Sequence, residues 1–250
     1  MRALILGGTG PARELAGRLD ELGWHVTTTQ PADKPYPAGV VRIDGFGGAA
    51  GMAAHLIQNQ VQIIVDASHP YNEEITEDAT EASRATGVPI LALTTPEWQE
   101  HPGDQWTRVP TPRAAADHAA RHFRHILLDI ATDTYTDFTF DPRNLYIVRG
   151  TRRGRMPHRF RMLPDVPAES VGAEKKLLQD NQIDGVVLRQ VGDEPGQFTL
   201  TAARELRIPV VLIDRPAPTK VWGRVRDVDD ALAVLIARRR PDPEPGEDYS

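Results

Sequence analysis

The chain has 250 residues, with 29 Lys and Arg against 35 Asp and Glu and a formal charge of −6, so net basicity gives no reason to bind DNA or RNA. Cysteine is absent, which excludes disulfides, thiolate chemistry and Cys-ligated zinc. With 40% hydrophobic and 26% charged residues, no apolar run near the roughly 20 residues of a membrane helix, and an N-terminus that enters a strand pattern without a signal peptide, the expectation is a cytoplasmic globular protein of one to two domains that does not enter a membrane.

Short β-branched or Leu-rich runs alternate with helix-period segments, the pattern of a parallel sheet covered by helices. The first run, Ala3–Leu6, leads through Gly7-Gly8-Thr9-Gly10 into a segment where Pro11 suits a first helical turn and Ala12, Leu15, Ala16, Leu19 and Leu22 supply a buried side. Glycines let main chain approach a pyrophosphate, and a helix N-terminus presents free N–H groups. Gly7, Gly8, Thr9 and Gly10 are therefore candidate cofactor-binding residues, with Arg13 standing where the dinucleotide fingerprint has its third glycine.

The second run, His25–Thr29, ends in Thr27-Thr28-Thr29-Gln30 where an NAD-binding fold places an acidic residue for the ribose 2′-hydroxyl. Hydroxyls at Thr28 and Thr29 with Lys34 nearby favour a 2′-phosphate, hence NADPH over NADH; a solvated polar loop is the alternative. A third run, Val40–Ile43, precedes Gly45-Phe46-Gly47-Gly48, in which Phe46 and Gly47 are read as packing beside the cofactor or as a plain flexible turn. Ala49, Met52, Ala53, Leu56 and Ile57 then form one stripe of an amphipathic helix.

The fourth run, Ile63–Asp66, opens Asp66-Ala67-Ser68-His69-Pro70-Tyr71 at a strand's carboxyl end, where open α/β sheets bind ligands. Asp66 and Ser68 are expected to face the cofactor, and His69 and Tyr71 to orient the substrate or donate a proton; a structural turn with Asp66 as helix cap is the competing expectation. After a fifth run, Ile90–Leu93, the stretch Thr94–Arg113 holds four prolines and two tryptophans with little periodicity. The expected division is a first domain over 1–97, a second over 98–240 and an acidic, disordered tail over 241–250.

In the second part, Ala116, Ala119, Ala120 and Phe123 form a helical stripe, followed by runs at His125–Ile130, Leu145–Val148, Gly185–Leu188 and Val210–Ile213, and Asp227 is placed to cap a last helix. Arg149, Arg152, Arg153, Arg155, Arg159 and Arg161 are dense enough to hold a ligand with several carboxylates, or form a solvated surface. Trp98, Trp106 and Trp222 either line a flat ligand or pack in the core. The sequence has no G-x-S-x-G elbow, no Walker lysine, no H-E-x-x-H and no His spacing that indicates a metal.

Taken together, the Leu-Gly-Gly-Thr-Gly turn with Ala12–Ala16, the segment Val41–Gly48 and the segment Val65–Tyr71 resemble the precorrin-6A reductases of cobalamin biosynthesis, a likeness continued through Gly87-Val88-Pro89, Pro96-Glu97-Trp98 and Ala202–Val211. The resemblance implies two Rossmann-like domains with NADPH and a tetrapyrrole-derived polycarboxylate in a cleft between them, and hydride transfer to a ring double bond. It assigns Gly7 to Gly10 to the cofactor-phosphate turn and Ser68 to Tyr71 to the cleft, and gives the arginines, with Arg152, Arg153 and Arg189 as the expected substrate contacts, an anionic ligand. The chain departs from the family pattern at Pro11, at Thr95, at Asp129-Ile130-Ala131-Thr132 and at Leu188-Arg189-Gln190-Val191-Gly192-Asp193. Those departures keep two alternatives open: a non-catalytic NADP(H)- or tetrapyrrole-binding paralogue, and a reductase of another polycarboxylate.

Overall fold

The computed structural model describes residues 1–31, 35–43, 45–130, 135–149, 157–164, 167–216 and 221–239. They form two units, each an α/β layer structure on a six-stranded sheet whose strand pairings are all parallel. The expected tail over 241–250 lies outside the described residues. No helix among them is long and apolar enough to cross a membrane.

The first unit runs β1 (Arg2–Leu6), α1 (Gly10–Glu21), β2 (His25–Thr29), β3 (Val40–Arg42), α2 (Ala49–Gln58), β4 (Ile63–Asp66), α3 (Glu73–Thr86) and β5 (Ile90–Leu93). Ala3–Leu6, Ile63–Val65 and Ile90–Leu93 are at most 5% exposed, because a parallel sheet covered by helices buries both faces. Alternate residues serve the two layers. Ile5, Ile63 and Val65 pack with Leu15 and Leu19 of α1, whereas Leu4, Leu6 and Ile64 pack with Met52 and Leu56 of α2 and Ala79 and Ala82 of α3. α1 starts where Thr9 accepts a hydrogen bond from Ala12 N–H, with Pro11 in the first turn where its missing N–H costs nothing.

The second unit runs β6 (Trp106–Val109), α4 (Pro112–His122), β7 (His125–Asp129), a 3-10 turn (Tyr135–Phe140), β8 (Leu145–Arg149), β9 (Phe160–Leu163), α5 (Val171–Asp180), β10 (Gly185–Arg189), α6 (Glu194–Leu206) and β11 (Val210–Ile213). The chain then continues through β12 (Gly223–Val225) and α7 (Val228–Arg239), where Asp227 caps the helix by accepting from Asp230 N–H.

The strand orders are β12-β5-β4-β1-β2-β3 and β6-β11-β10-β7-β8-β9. Each is the Rossmann order 3-2-1-4-5-6, with the reversal of direction between β1 and β4 in one unit and between β7 and β10 in the other. The sixth strand of each sheet is supplied out of turn. β6 precedes the five strands it joins, and β12 returns to the first sheet after the second unit is complete.

The expected division at 97/98 and the assignment of residues up to 240 to the second domain are thereby corrected. The chain leaves the first unit at Thr95, and residues 221–239 belong to that unit again. The free edge of β5 selects them. Gly223–Val225 pair with Leu91–Leu93, Trp222 N–H donates to Ile90 O and Thr94 N–H to Val225 O, while Ala231, Leu232 and Leu235 of α7 join the layer of Leu15 and Leu19. Leu235→Ala is accordingly expected to cost about 2–5 kcal/mol of unfolding free energy, read by urea denaturation; a change below about 1 kcal/mol contradicts the docking of α7 on the first unit.

Candidate functional site

The reversal between β1 and β4 brings the glycine turn beside the segment after Asp66. Thr9 holds the two together: its hydroxyl donates to Ala67 O at 2.7 Å while accepting from Ala12 N–H, and Ala67 N–H donates to Leu6 O at 3.0 Å. Each glycine answers a separate requirement. A Cβ on Gly7 falls 2.5 Å from Thr29 O and 2.8 Å from Thr28 Cγ2, so only glycine lets the turn lie against β2. Gly8 has φ +99°, a conformation L side chains rarely adopt. Gly10 has neither a positive φ nor any atom within 4 Å of an added Cβ, and it leaves the mouth of α1 open.

No acceptor among the described residues takes the N–H groups of Gly8, Thr9 or Gly10. Amides left without an acceptor at a helix N-terminus are suited to receive an anionic group. This is the fit expected of a dinucleotide pyrophosphate, and Arg13 lies one turn into the same helix.

The other expected cofactor contacts are redistributed. Thr29 is buried and its hydroxyl accepts from Gly7 N–H at 3.2 Å; Thr28 is 1% exposed, its hydroxyl without a hydrogen-bond partner among the described residues. Both brace the glycine turn from beneath, which corrects the expectation that they offer hydroxyls to a 2′-phosphate. Lys34 lies outside the described residues. Asp66 accepts from Ser68 N–H (3.2 Å) and Ser68 Oγ (2.7 Å) on one oxygen and from Thr76 Oγ1 (2.7 Å) on the other. Asp66 and Ser68 thus tie the loop to α3, rather than offering their polar atoms to a cofactor, and Asp66 does not cap the helix.

That bracing presents the tip of the loop. His69 is exposed, its ring 5.7 Å from that of Tyr71, and its Nδ1 lies 3.4 Å from Tyr71 N–H, an arrangement that puts the proton of the neutral ring on Nε2. Phe46 and Gly47 sit in a loop fixed by positive φ at Gly47 and Gly48 and by Gly51, where an added Cβ comes within 1.8 Å of Phe46 O. Sequence reasoning passes over Arg42 at the end of β3, whose guanidinium lies 4.6 Å above the Phe46 ring. The available signal is an arginine ending a strand directly before a Gly-Phe-Gly-Gly turn.

In the second unit the place corresponding to the β1 end is acidic. Arg149 Nη2 donates to both carboxylate oxygens of Glu174 (2.7 and 2.8 Å) and its Nη1 to Asp129 (2.8 Å), and Thr199 donates to Glu174 (2.9 Å). Burial pushes the Asp129 carboxyl up to about 6; Arg149 opposes the rise, and Glu174 and Asp193 add to it. Asp193 caps α6 by accepting from Gly196 N–H. Two carboxylates beside one guanidinium repel a phosphate.

The expected arginine cluster does not assemble among the described residues. Arg149 is consumed by its carboxylates, Arg159 donates to Thr139 O and Arg161 to Asn181 Oδ1. Arg152 and Arg153 lie outside the described residues, and Arg189 is buried at the carboxyl end of β10. Trp98 is core: Gln190 and Trp98 exchange two hydrogen bonds, and its ring lies against Gly196, where an added Cβ falls 2.1 Å from Cζ2.

The sequence profile of the family described as Precorrin-6x reductase CbiJ/CobK matches residues 2–236. The precorrin-6A reductase of Sinorhizobium sp is 35% identical over 239 residues, covering 92% of this chain and 91% of the relative, and that of Rhodobacter capsulatus is 34% identical over 230 residues, covering 86% and 88%. The solved structure of CobK precorrin-6A reductase superposes with a TM-score of 0.86 at 30% identity, covering 96% of this chain and 97% of that one.

Proposed function

The chain belongs to the precorrin-6x reductase family, and from that premise we propose that it reduces precorrin-6A, a macrocyclic corrin precursor of cobalamin biosynthesis, with NADPH as the hydride donor. The observation that carries the cofactor half of this reading is the row of bare amides of Gly8, Thr9 and Gly10 at the strand-order reversal. Similarity along nearly the whole chain supports the substrate half.

When bound, NADPH would supply a hydride for one carbon of a ring double bond, and the neighbouring carbon would take a proton. The chain's own part is to bind and orient. The amides of the turn would hold the pyrophosphate, and Thr9 locks the turn to the loop after β4. Asp66, anchored through Ser68 and Thr76, keeps that loop in register so that His69 and Tyr71 stand at its tip. His69 holds a proton at Nε2, and Tyr71 holds one on its hydroxyl; these are the proton donors of the reading. Arg189, with Arg152 and Arg153, supplies charge partners for substrate carboxylates.

The test is NADPH absorbance followed with and without precorrin-6A. Oxidation is expected only with the substrate present, and His69→Gln is expected to lower kcat on the order of 10²- to 10⁴-fold with little change in NADPH affinity. NADPH binding without turnover in the presence of precorrin-6A overturns the activity and leaves the cofactor reading standing.

A further inference from the structure

At the carboxyl end of β3, Thr29 pairs with Arg42 across the β2–β3 register, and Gln30 N–H donates to Arg42 O at 3.1 Å. Arg42 therefore stands beside the strand end at which a Rossmann unit receives the ribose of the adenosine half. Its guanidinium is held in place without being neutralised. Nε and Nη2 donate to Gly45 O at 3.3 and 3.0 Å, and the plane lies over Phe46, but no described carboxylate pairs with it. By contrast Arg18, Arg108, Arg149 and Arg204 each meet an acidic side chain at 2.6 to 2.8 Å.

The platform beneath Arg42 is built. Phe46 packs on His55 with ring centroids 5.0 Å apart, and Asn59 Nδ2 lies 3.1 Å from His55 Nδ1. Burial, and then the charge of Arg42, lower the His55 pKa below its ordinary value, so His55 is neutral at pH 7 and Arg42 is the charged member of the group. The Gly47, Gly48 and Gly51 backbone requirements fix the loop that carries Phe46. An arginine immobilised by a carbonyl and an aromatic face, with its charge unspent, is organised for a bidentate anion.

Resting on the dinucleotide reading above, we infer that Arg42 is the specificity-determining residue of the cofactor site, binding the 2′-phosphate of a phosphorylated adenine dinucleotide and setting the preference for NADPH over NADH. The Thr29 hydroxyl accepts from Gly7 N–H and the Thr28 hydroxyl is buried, so neither takes part in this selection.

The test is calorimetric titration of the full-length protein, wild type, Arg42→Gln, Arg42→Lys and Lys34→Gln, with NADPH, NADH and adenosine 2′,5′-bisphosphate, alongside thermal unfolding of each variant. Arg42→Gln is expected to weaken NADPH and the bisphosphate on the order of 10- to 100-fold while NADH stays within about twofold. Arg42→Lys recovers part of the loss. The inference is overturned if Arg42→Gln leaves NADPH binding unchanged, if NADPH and NADH weaken equally, or if Lys34→Gln alone removes the preference. Wild type that binds both dinucleotides alike overturns the inference and keeps the dinucleotide reading; wild type that binds neither overturns both.

Discussion

Gly10→Ala is expected to leave the protein as stable as the parent, or up to about 1 kcal/mol more so, while weakening NADPH binding on the order of 10- to 100-fold. Gly10 needs no special backbone conformation, and an added methyl meets nothing within 4 Å, so folding gains from a stiffer unfolded chain and loses no contact. On the proposed reading the same methyl, entering open space at the N-terminus of α1, would hinder the approach of the phosphate to the amides. Gly7→Ala makes the opposite case. Its methyl falls 2.5 Å from Thr29 O, a main-chain atom that cannot turn away, and the variant is expected to lose about 1–3 kcal/mol of stability together with cofactor binding. Urea denaturation and equilibrium NADPH titration on the two variants separate packing from ligand approach. A Gly10→Ala protein with parental NADPH affinity removes the phosphate from the mouth of α1.

The contrast between these two glycines also marks what the sequence discloses. Strand-turn-helix order and the run of glycines identify the turn, but its packing depends on distant residues: Thr29 lies 22 positions from Gly7, and Ala67 lies 58 positions from Thr9. For the same reason the sequence places Thr28, Thr29, Asp66 and Ser68 at strand ends without revealing that their polar atoms are turned inward. The buried strands are legible because both faces are apolar. β6, β9 and β12 are not, since each is a sheet edge with a mixed, short sequence: Trp-Thr-Arg-Val, Phe-Arg-Met-Leu and Gly-Arg-Val. The return of the chain to the first sheet at β12 is hidden with them. Arg42 is likewise visible only as a charged residue ending an edge strand until the register sets it beside Thr29.

Arg149→Met is expected to cost about 3–5 kcal/mol, because it strands Glu174, 3% exposed, and Asp129 without their shared cation. Asp129→Asn is expected to act in the opposite direction at neutral pH. The Asp129 carboxyl rises from 3.8 to about 6 on folding, so between those values the folded protein binds the proton that the unfolded chain has released. Stability contributed by the protonated form is therefore present below about 4 and is lost as pH rises through about 6, a loss of about 3 kcal/mol on the scale of 1.36 kcal/mol per unit. An amide at this position keeps an acceptor for Arg149, leaves Arg149 and Glu174 as a balanced pair and removes the pH dependence. Unfolding free energies of the two proteins measured from pH 4 to pH 8 are expected to converge at the acid end and to diverge by about 1–3 kcal/mol in favour of Asp129→Asn at the alkaline end. If Asp129→Asn is instead the less stable protein at pH 8, the Arg149 pairing outweighs burial and the carboxylate stabilises the second unit as an ion.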